Sequence, residues 1–393
     1  MTDSPERTDI PEETDVLIAG AGPTGLALAL ALRRLGVAAL LIDRQAEGAN
    51  TSRAAAVHAR TLEVLEPLGV TPDLLAQGIR VPVFRVRDRS RVLLSVPFAG
   101  LPTHYPFTLM CPQDRTEAAL LARLRALGGG VLRPAELASL QEDGDGVLAV
   151  IVRNGVRRTV RARWLAGCDG AHSLVRTEAG IAFEGGTYGQ DFVLADLRMD
   201  WPFPREEVSL FLVPGGLMVV APLPDDRFRI VATVESAPEA PRPGDVQRIL
   251  RERGPEAAEA RLREMVWSSR FRVHHRLAAT MRRRRVLLCG DAAHLHSPAG
   301  GQGMNTGIQD AVSLAEPLAQ ALRTGGEEGL DAWAARRRAI AGRVVGFTDV
   351  MTRTATLSSA PARSLRNGAL AVLGRLPPVT RRIARGLAEL DNV

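Results

Sequence analysis

A mixed α/β fold is what the 393-residue sequence predicts: a parallel-stranded domain, an inserted mixed or antiparallel sheet, and C-terminal helices. Three observations predict it. Residues 14–43 run strand, glycine-rich loop, helix, strand. Two later apolar strands, at Trp164–Gly167 and Val286–Cys289, run into Asp169-Gly170 and Gly290-Asp291. Between those two, residues 186–275 abandon the strand–helix rhythm for short apolar runs punctuated by Pro, Gly and Asp.

The elements follow in order. The opening MTDSPERTDIPE is polar and proline-marked; it reads as a short disordered tail and not as a signal peptide. Asp15 to Ala19 is a short apolar run of buried-strand type. Gly20-x-Gly22-x-x-Gly25 follows, with Pro23 and Thr24 inside it, and then a Leu/Ala-rich helix from Leu26 to Leu35 that Gly36 stops. Ala38 to Ile42 is the second strand, ended by Asp43. Gly20 permits the tight turn, Gly22 lets backbone approach a pyrophosphate, and Gly25 allows close helix–strand packing. The helix start then offers free amides and a positive dipole end to phosphates, and Asp43 takes ribose hydroxyls. This is a Rossmann-like dinucleotide fingerprint. By itself it does not separate NAD from FAD.

Composition removes other chemistries. All 50 cations are arginine and no lysine occurs, against 44 acidic residues and a net charge of +6. Pyridoxal-phosphate and Schiff-base aldolase chemistry need a lysine, and so does a Walker-type phosphate site. The arginines are spread along the chain and aromatics are only 4%, so no aromatic-interleaved basic block marks a nucleic-acid interface. Cys111, Cys168 and Cys289 make neither a disulfide framework nor a CxxC pattern, which points to a reducing, cytoplasmic setting. The uncharged run Val16–Leu32 is broken by the glycine loop and is no membrane span. His294 and His296 lack a carboxylate or Cys partner at ligand spacing, so no metal is assigned. His58 and the His274-His275 pair read as packing or surface residues, and Arg282 to Arg285 as a solvated approach to a strand.

Two segments choose the cofactor. The first is Trp164-Leu-Ala-Gly-Cys-Asp169-Gly170-Ala-His-Ser-Leu-Val-Arg176. The second runs from Val286 through Gly290-Asp291, Pro298, Gly301, Gly303-Met304-Asn305 and Asp310, with a helix from about Gln302 to Leu322. A strand-end carboxylate such as Asp169 or Asp291 suits a ribitol or ribose hydroxyl, and a helix start suits a reduced, anionic isoalloxazine. Capping of a plain turn is the other reading of Asp169 and Asp291.

Together the three segments resemble those of the class A flavoprotein monooxygenases, the para-hydroxybenzoate hydroxylase family, and more narrowly its aromatic polyketide hydroxylase branch. The resemblance covers about residues 14–345. It implies a Rossmann-like FAD-binding domain at 14–76, 109–185 and 276–330, a substrate-binding domain at 77–108 and 186–275, and C-terminal helices over 331–393. It implies that the first segment binds the ADP half of FAD with Arg44 nearby, that Asp169 belongs to a motif tied to FAD and NAD(P)H, and that Gly290 and Asp291 hold the ribityl chain. Ser52-Arg53-Ala54 is similar to the stretch whose arginine approaches the pyrophosphate, and Pro112-Gln113-Asp114-Arg115 to the stretch whose glutamine binds FAD. Leu137 joins the cofactor contacts, and Pro298, Gly301 and Asn305 fall beside the isoalloxazine with Gly303 and Met304. No side chain is assigned as catalytic.

The implied activity is that of an FAD-dependent monooxygenase of polyketide or antibiotic biosynthesis. It uses transiently bound NAD(P)H and O2, through a flavin C4a-hydroperoxide, to hydroxylate an aromatic or polyketide-like molecule. Epoxidation or Baeyer–Villiger insertion is the alternative, and a non-catalytic FAD-binding sensor the more distant one. A flavin halogenase is excluded within the resemblance, because that family needs an active-site lysine and a Trp-x-Trp signature. Some relatives carry a thioredoxin-like C-terminal domain that this length does not accommodate, so the sequence assigns no oligomeric state. Residues 350–388 contain seven arginines and no acid, and read as bridging helices or a basic amphipathic segment.

Overall fold

The computed structural model describes residues 10–48, 54–214, 216–256, 259–357 and 359–392. The N-terminal tail up to residue 9, and Arg53, lie outside the described residues.

The three motif-bearing strands are neighbours. Among the described residues a seven-stranded sheet orders Arg282–Arg283, Val286–Leu288, Val156–Gly167, Glu13–Ala19 and Ala39–Ile42 side by side. From Val286–Leu288 onward these pair in parallel, Leu17 opposite Leu165 and Leu40, and Gly167 opposite Leu288. Their carboxyl ends therefore share one edge, where ligands bind in open α/β sheets. The fingerprint helix spans Pro23–Arg34, three residues earlier than the apolar pattern suggested, because Pro23 fits the first helical turn. Gly36, at φ +77, turns the chain back as expected.

One part of this sheet departs from the strand–helix rhythm. Glu136–Asp143, Gly146–Arg153 and Val156–Gly167 form an antiparallel meander. The second hairpin closes on Asn154 and Gly155, both with positive φ, the backbone a two-residue turn needs. Arg282 is a correction: its side chain is 7% exposed and pairs with Glu327 and Asp331, so it is not solvated. Arg285 lies over the Trp164 ring and also meets Glu327.

An eight-stranded sheet orders His294–Leu295, Arg261–Ala278, Phe183–Asp200, Arg227–Val234, Gly216–Leu223, Glu207–Val213, Val83–Asp88 and Arg91–Pro97. The antiparallel run over 207–234 matches the turn punctuation in the sequence, with Asp225 and Asp226 at positive φ in one hairpin. Strands from 77–109 do join it, but Ile79–Val81 and Thr108–Met110 instead pair in a small sheet with Ala56–Val57. The long strands Phe183–Asp200 and Arg261–Ala278 run through both ends of the 186–275 segment. A helix absent from the sequence reading, Pro243–Arg253, packs Val246, Ile249 and Leu250 against Met218, Val220, Ile230 and Ala232. Alternation then puts Leu217 and Val219 on the opposite face, with Leu212, Leu210 and Ala355.

The C-terminal helices are Glu328–Ala355, Ala360–Leu373 and Pro377–Leu387. The second is inverted: Arg366 points in and donates to the carbonyls of Leu212, Thr354 and Ala355, while Leu365 and Val372 face out. Beyond the third helix, Glu389 is driven into the core beside Gln309. Burial pushes its carboxyl up to about 8, against the pull of Gln309 and Arg337. A carboxyl raised in the native state stabilises the fold at low pH, and that stability drains away as pH rises through the native value. The buried His58 and His296 imidazoles, both lowered from 6.5 to about 4, act the other way and only below about pH 6.5. Between pH 6.5 and 8 the wild-type protein is therefore expected to lose about 1–2 kcal/mol of stability, and Glu389→Gln to lose none. Urea melts across that range check this; parallel curves for the two proteins would refute it.

Candidate cofactor site

The site begins with backbone. Gly20 turns at φ +96, and a Cβ there would sit 2.4 Å from the Cys168 carbonyl oxygen. A Cβ on Gly25 would meet the Gly20 carbonyl oxygen at 1.9 Å, so the helix packs against the loop only because that carbon is missing. Among the described residues, nothing lies within 4 Å of the Cβ position on Gly22. Gly22 thus leaves the mouth of the helix open, and the helix has no side-chain cap at this end. Its first amides keep their donors for an anion.

Asp43 shapes this turn. Its Oδ2 accepts from the Ala21 amide at 2.7 Å and its Oδ1 from the Gln45 amide at 2.8 Å. Each oxygen retains a lone pair for a hydroxyl. Arg133, which no spacing in the sequence singles out, donates to the Ala21 carbonyl at 3.1 Å. Gln113, the first residue of the helix Gln113–Ala126, accepts from the Ala54 amide at 3.3 Å and donates to Glu117 at 2.8 Å. It fastens the chain just after the undescribed segment that contains Arg53.

The second motif enters from the neighbouring strand. Asp169 Oδ2 accepts from the Val175 amide at 3.1 Å, which caps the short helix Leu174–Glu178. Its Oδ1 is buried and has no hydrogen-bond partner among the described residues. Arg176 ties this motif to the third, donating to the Ala292 carbonyl at 2.8 Å and the Ala171 carbonyl at 3.1 Å. Gly20, Gly22, Asp43, Arg44, Gln113, Leu137 and Asp169 line one cleft of about 250 Å³, with Arg133, Glu117 and Cys168.

Pro23, Thr24 and Gly25 stand behind that cleft and receive the third motif. Cβ atoms on Gly290 and Gly307 would come within 2.7 and 2.5 Å of Thr24 Oγ1, so two glycines let the central helix Gly303–Thr324 lie against the fingerprint helix. Asp291 is exposed in the 3₁₀ turn Gly290–Ala292. The loop from Pro298 to Asn305 is pinned to the strand Ala56–Val57. Asn305 donates to the carbonyls of Ala56 and Gly301, each at 2.8 Å, and accepts from the His58 amide. Gly301, at φ +68, lies where a Cβ would be 2.9 Å from Ala56 Cβ. Pro298, Gly303 and Met304 are half-buried around it. This block does not line the 250 Å³ cleft; it sits beyond Thr24 on the far side of the fingerprint loop.

Behind the loop lies a buried ion network that sequence spacing did not reveal. Asp310 is 0% exposed; its Oδ2 takes the Gly290 amide at 3.1 Å and His294 Nε2 at 2.6 Å. Its Oδ1 takes Arg337 Nε at 2.6 Å. Burial pushes the Asp310 carboxyl up, but Arg337 and His294 outweigh it and hold it below its ordinary value. His294 thus has a carboxylate partner after all, and among the described residues no metal-binding cluster forms. His58 is also buried, with Nε2 2.7 Å from the Gly300 carbonyl; burial lowers its pKa to about 4 and keeps the ring neutral.

The donor set fits the ADP half of FAD. A bare glycine turn faces an open helix start, and one buried carboxylate oxygen lacks a partner at the cleft wall. Such an oxygen costs stability unless a ligand hydroxyl or amine meets it. Asp169→Asn is therefore expected to weaken FAD binding about tenfold to a hundredfold, a charged hydrogen bond being worth about 1.5–3 kcal/mol. Flavin fluorescence titration measures this, and an unchanged Kd would rule out the role.

Comparison with known proteins gives the same picture. The FAD binding domain family pattern matches residues 13–348. A 6-methylpretetramide 4-monooxygenase of Streptomyces rimosus is 40% identical over 385 residues, which is 95% of this chain and 68% of the relative. The solved structure of an anhydrotetracycline hydroxylase from Streptomyces rimosus superposes with a TM-score of 0.81 at 34% identity, covering 96% of this chain and 76% of the other. That of a p-nitrophenol 4-monooxygenase from Pseudomonas putida superposes at 0.86 with 25% identity, covering 97% and 98%.

Proposed function

The chain belongs to the class A flavoprotein monooxygenases, in their aromatic polyketide hydroxylase branch, and from that premise we propose that it hydroxylates a flat, polycyclic aromatic or polyketide-like small molecule. It is an FAD-dependent monooxygenase. The observation that carries the substrate reading is the half-buried apolar face of the eight-stranded sheet. Leu210, Val219 and Val231 are register partners on three adjacent strands, half-buried on the face opposite the helix Pro243–Arg253, with Ala355 and Leu370 beside the first two. The relatives named above are hydroxylases and monooxygenases, so hydroxylation is preferred to epoxidation or Baeyer–Villiger insertion.

Bound FAD supplies acceptance of hydride from NAD(P)H and activation of O2 for transfer of one oxygen atom. The chain's own residues bind, orient and exclude water. Ala21, Gly22 and the first amides of the fingerprint helix would hold the pyrophosphate, with Arg44 beside it. Asp43 would fix a ribose. Asp169 would meet a hydroxyl or amine of the cofactor at the cleft wall, and Gly290 and Asp291 would hold the ribityl chain. The start of the central helix, from Gly303 to Asn305, would place its positive end where negative charge develops. Burial holds His58 neutral near pH 7, and its ring fixes the Gly300 carbonyl. The three free thiols support a reducing, cytoplasmic setting, and no helix among the described residues is long and apolar enough to cross a membrane. We assign 14–76, 109–185 and 276–330 to FAD, 77–108 and 186–275 to the substrate, and 331–393 to bridging helices.

The test is product mass spectrometry with NAD(P)H and ¹⁸O2 over a panel of phenols and polycyclic polyketides. One labelled oxygen per product, with matching NAD(P)H consumption, is expected. FAD-loaded protein that labels none of them, while consuming NAD(P)H at an unstimulated rate, would overturn the reading.

A further inference from the structure

Two of the three cysteines stand together under the cofactor cleft. Gly167 and Leu288 are register partners on parallel strands, so Cys168 and Cys289 are the next pair, and the Cys289 amide donates to the Gly167 carbonyl at 3.0 Å. Their side chains share a face. A Cβ on Gly167 would strike Val175 and Leu288, whereas Cys168 Cβ lies 3.4 Å from the Cβ position of Gly25 on the other side. Both thiols therefore occupy the layer between the sheet and the fingerprint helix, side by side on neighbouring strands. Neighbouring strands run about 4.8 Å apart, inside the roughly 4.4–6.8 Å that a disulfide spans between Cα atoms. Cys168 lines the cleft and Cys289 is buried behind it. Cys111, the third thiol, is buried beyond the strand Thr108–Met110.

We propose that Cys168 and Cys289 are an oxidisable thiol pair that closes to a disulfide when hydrogen peroxide enters the cleft, and that closure expels the cofactor. Peroxide is at hand, because oxygen reduced without a substrate to hydroxylate leaves as H2O2. The cleft-lining Cys168 sulfur attacks one peroxide oxygen; the O–O bond breaks, a sulfenic acid forms, and the departing hydroxide takes the Cys168 proton to leave as water. The Cys289 sulfur then attacks the Cys168 sulfur. The S–S bond forms, the S–O bond breaks, and the departing hydroxide takes the Cys289 proton. Two thiols are oxidised by two electrons and one peroxide becomes two waters. The order follows from access: burial pushes the Cys289 thiol well up, so it is the second sulfur to react. Closure pulls on Cys168, whose carbonyl oxygen abuts Gly20 and whose neighbour is Asp169. Reduction by cellular thiols restores the open pair.

The affinity part of this proposal rests on the cleft being the FAD site; the thiol chemistry does not. FAD-loaded protein is treated with H2O2, alkylated and mapped by peptide mass spectrometry, and its retained flavin is measured by fluorescence. A Cys168–Cys289 linked peptide, an alkylatable Cys111 and about tenfold weaker FAD retention, all reversed by dithiothreitol, are expected. Cys289→Ala should give a dimedone-trapped sulfenic acid on Cys168, no link and undiminished FAD retention. Oxygen gain on wild-type Cys168 without a linked peptide would overturn the proposal, and so would full linkage with unchanged FAD retention. Untreated, reduced protein that binds no FAD would instead contradict the cofactor reading, with the linked peptide still deciding the thiol chemistry.

Discussion

Asp310→Ala should cost about 3–5 kcal/mol of stability, because it leaves a buried arginine without its counter-ion. The carboxylate is fully buried, and Arg337, itself 3% exposed in its side chain, meets it at 2.6 Å. The loss extends beyond the ion pair. Asp310 also takes the Gly290 amide and the His294 ring, so its removal frees the Gly290–Asp291 turn from the central helix. FAD affinity should fall with stability. Asp310→Asn separates the two effects: its amide oxygen still accepts from the Gly290 amide, but the charge opposite Arg337 is gone. Denaturant melts and flavin titrations of both variants provide the check. An alanine variant that melts with the wild type would show that Arg337 finds another partner and that the network is dispensable.

Gly25→Ala should remove FAD binding by about a hundredfold or more, or roughly 3 kcal/mol, with a parallel fall in stability. The added carbon would sit 1.9 Å from the Gly20 carbonyl oxygen, a backbone atom that has nowhere to go. Gly20 is itself pressed against the Cys168 carbonyl, so the clash travels into the second motif. Gly22→Ala makes the matching control. Its new carbon meets nothing within 4 Å among the described residues, so the fold should melt as the wild type does. Only a ligand backbone approaching the open helix start would feel it. Equal melting and weaker FAD binding in Gly22→Ala, beside losses in both for Gly25→Ala, is the expected pattern. Full FAD affinity in both variants would mean the pyrophosphate lies elsewhere.

What could be read from the sequence was local. The fingerprint was legible because Gly20, Gly22, Gly25 and Asp43 fall within one strand–helix–strand unit, where each residue type answers a backbone requirement. The antiparallel run over 207–234 was legible from its turn residues. Other features depend on partners far along the chain. Arg133 reaches Ala21 across 112 positions and Arg176 reaches Ala292 across 116, and no periodicity connects them. His294 was read as lacking a carboxylate because Asp310 lies 16 residues on, past a loop and a turn of helix. Arg282 was read as solvated because a run of four arginines has a solvated face as its default, yet Glu327 and Asp331 approach from another helix. The hairpin at Asn154-Gly155 did carry a signal, an Asn-Gly pair between alternating apolar runs, that the strand–helix rhythm obscured.

The parallel neighbours in the seven-stranded sheet also set a timetable. Glu13–Ala19 is made first, but one of its hydrogen-bonded partners is Val156–Gly167, whose other parallel neighbour is Val286–Leu288. Asn305 then closes on Ala56 across 249 positions, and Arg337 is later still. During synthesis the glycine turn therefore leaves the ribosome long before its walls exist, and its early strand, paired with Ala39–Ile42 on one side, waits with its other edge open. FAD is therefore expected to enter a nearly finished protein and not to template the first half of the chain. Slow translation before residue 286 should prolong that exposed interval, whereas a slow codon after Arg337 should not.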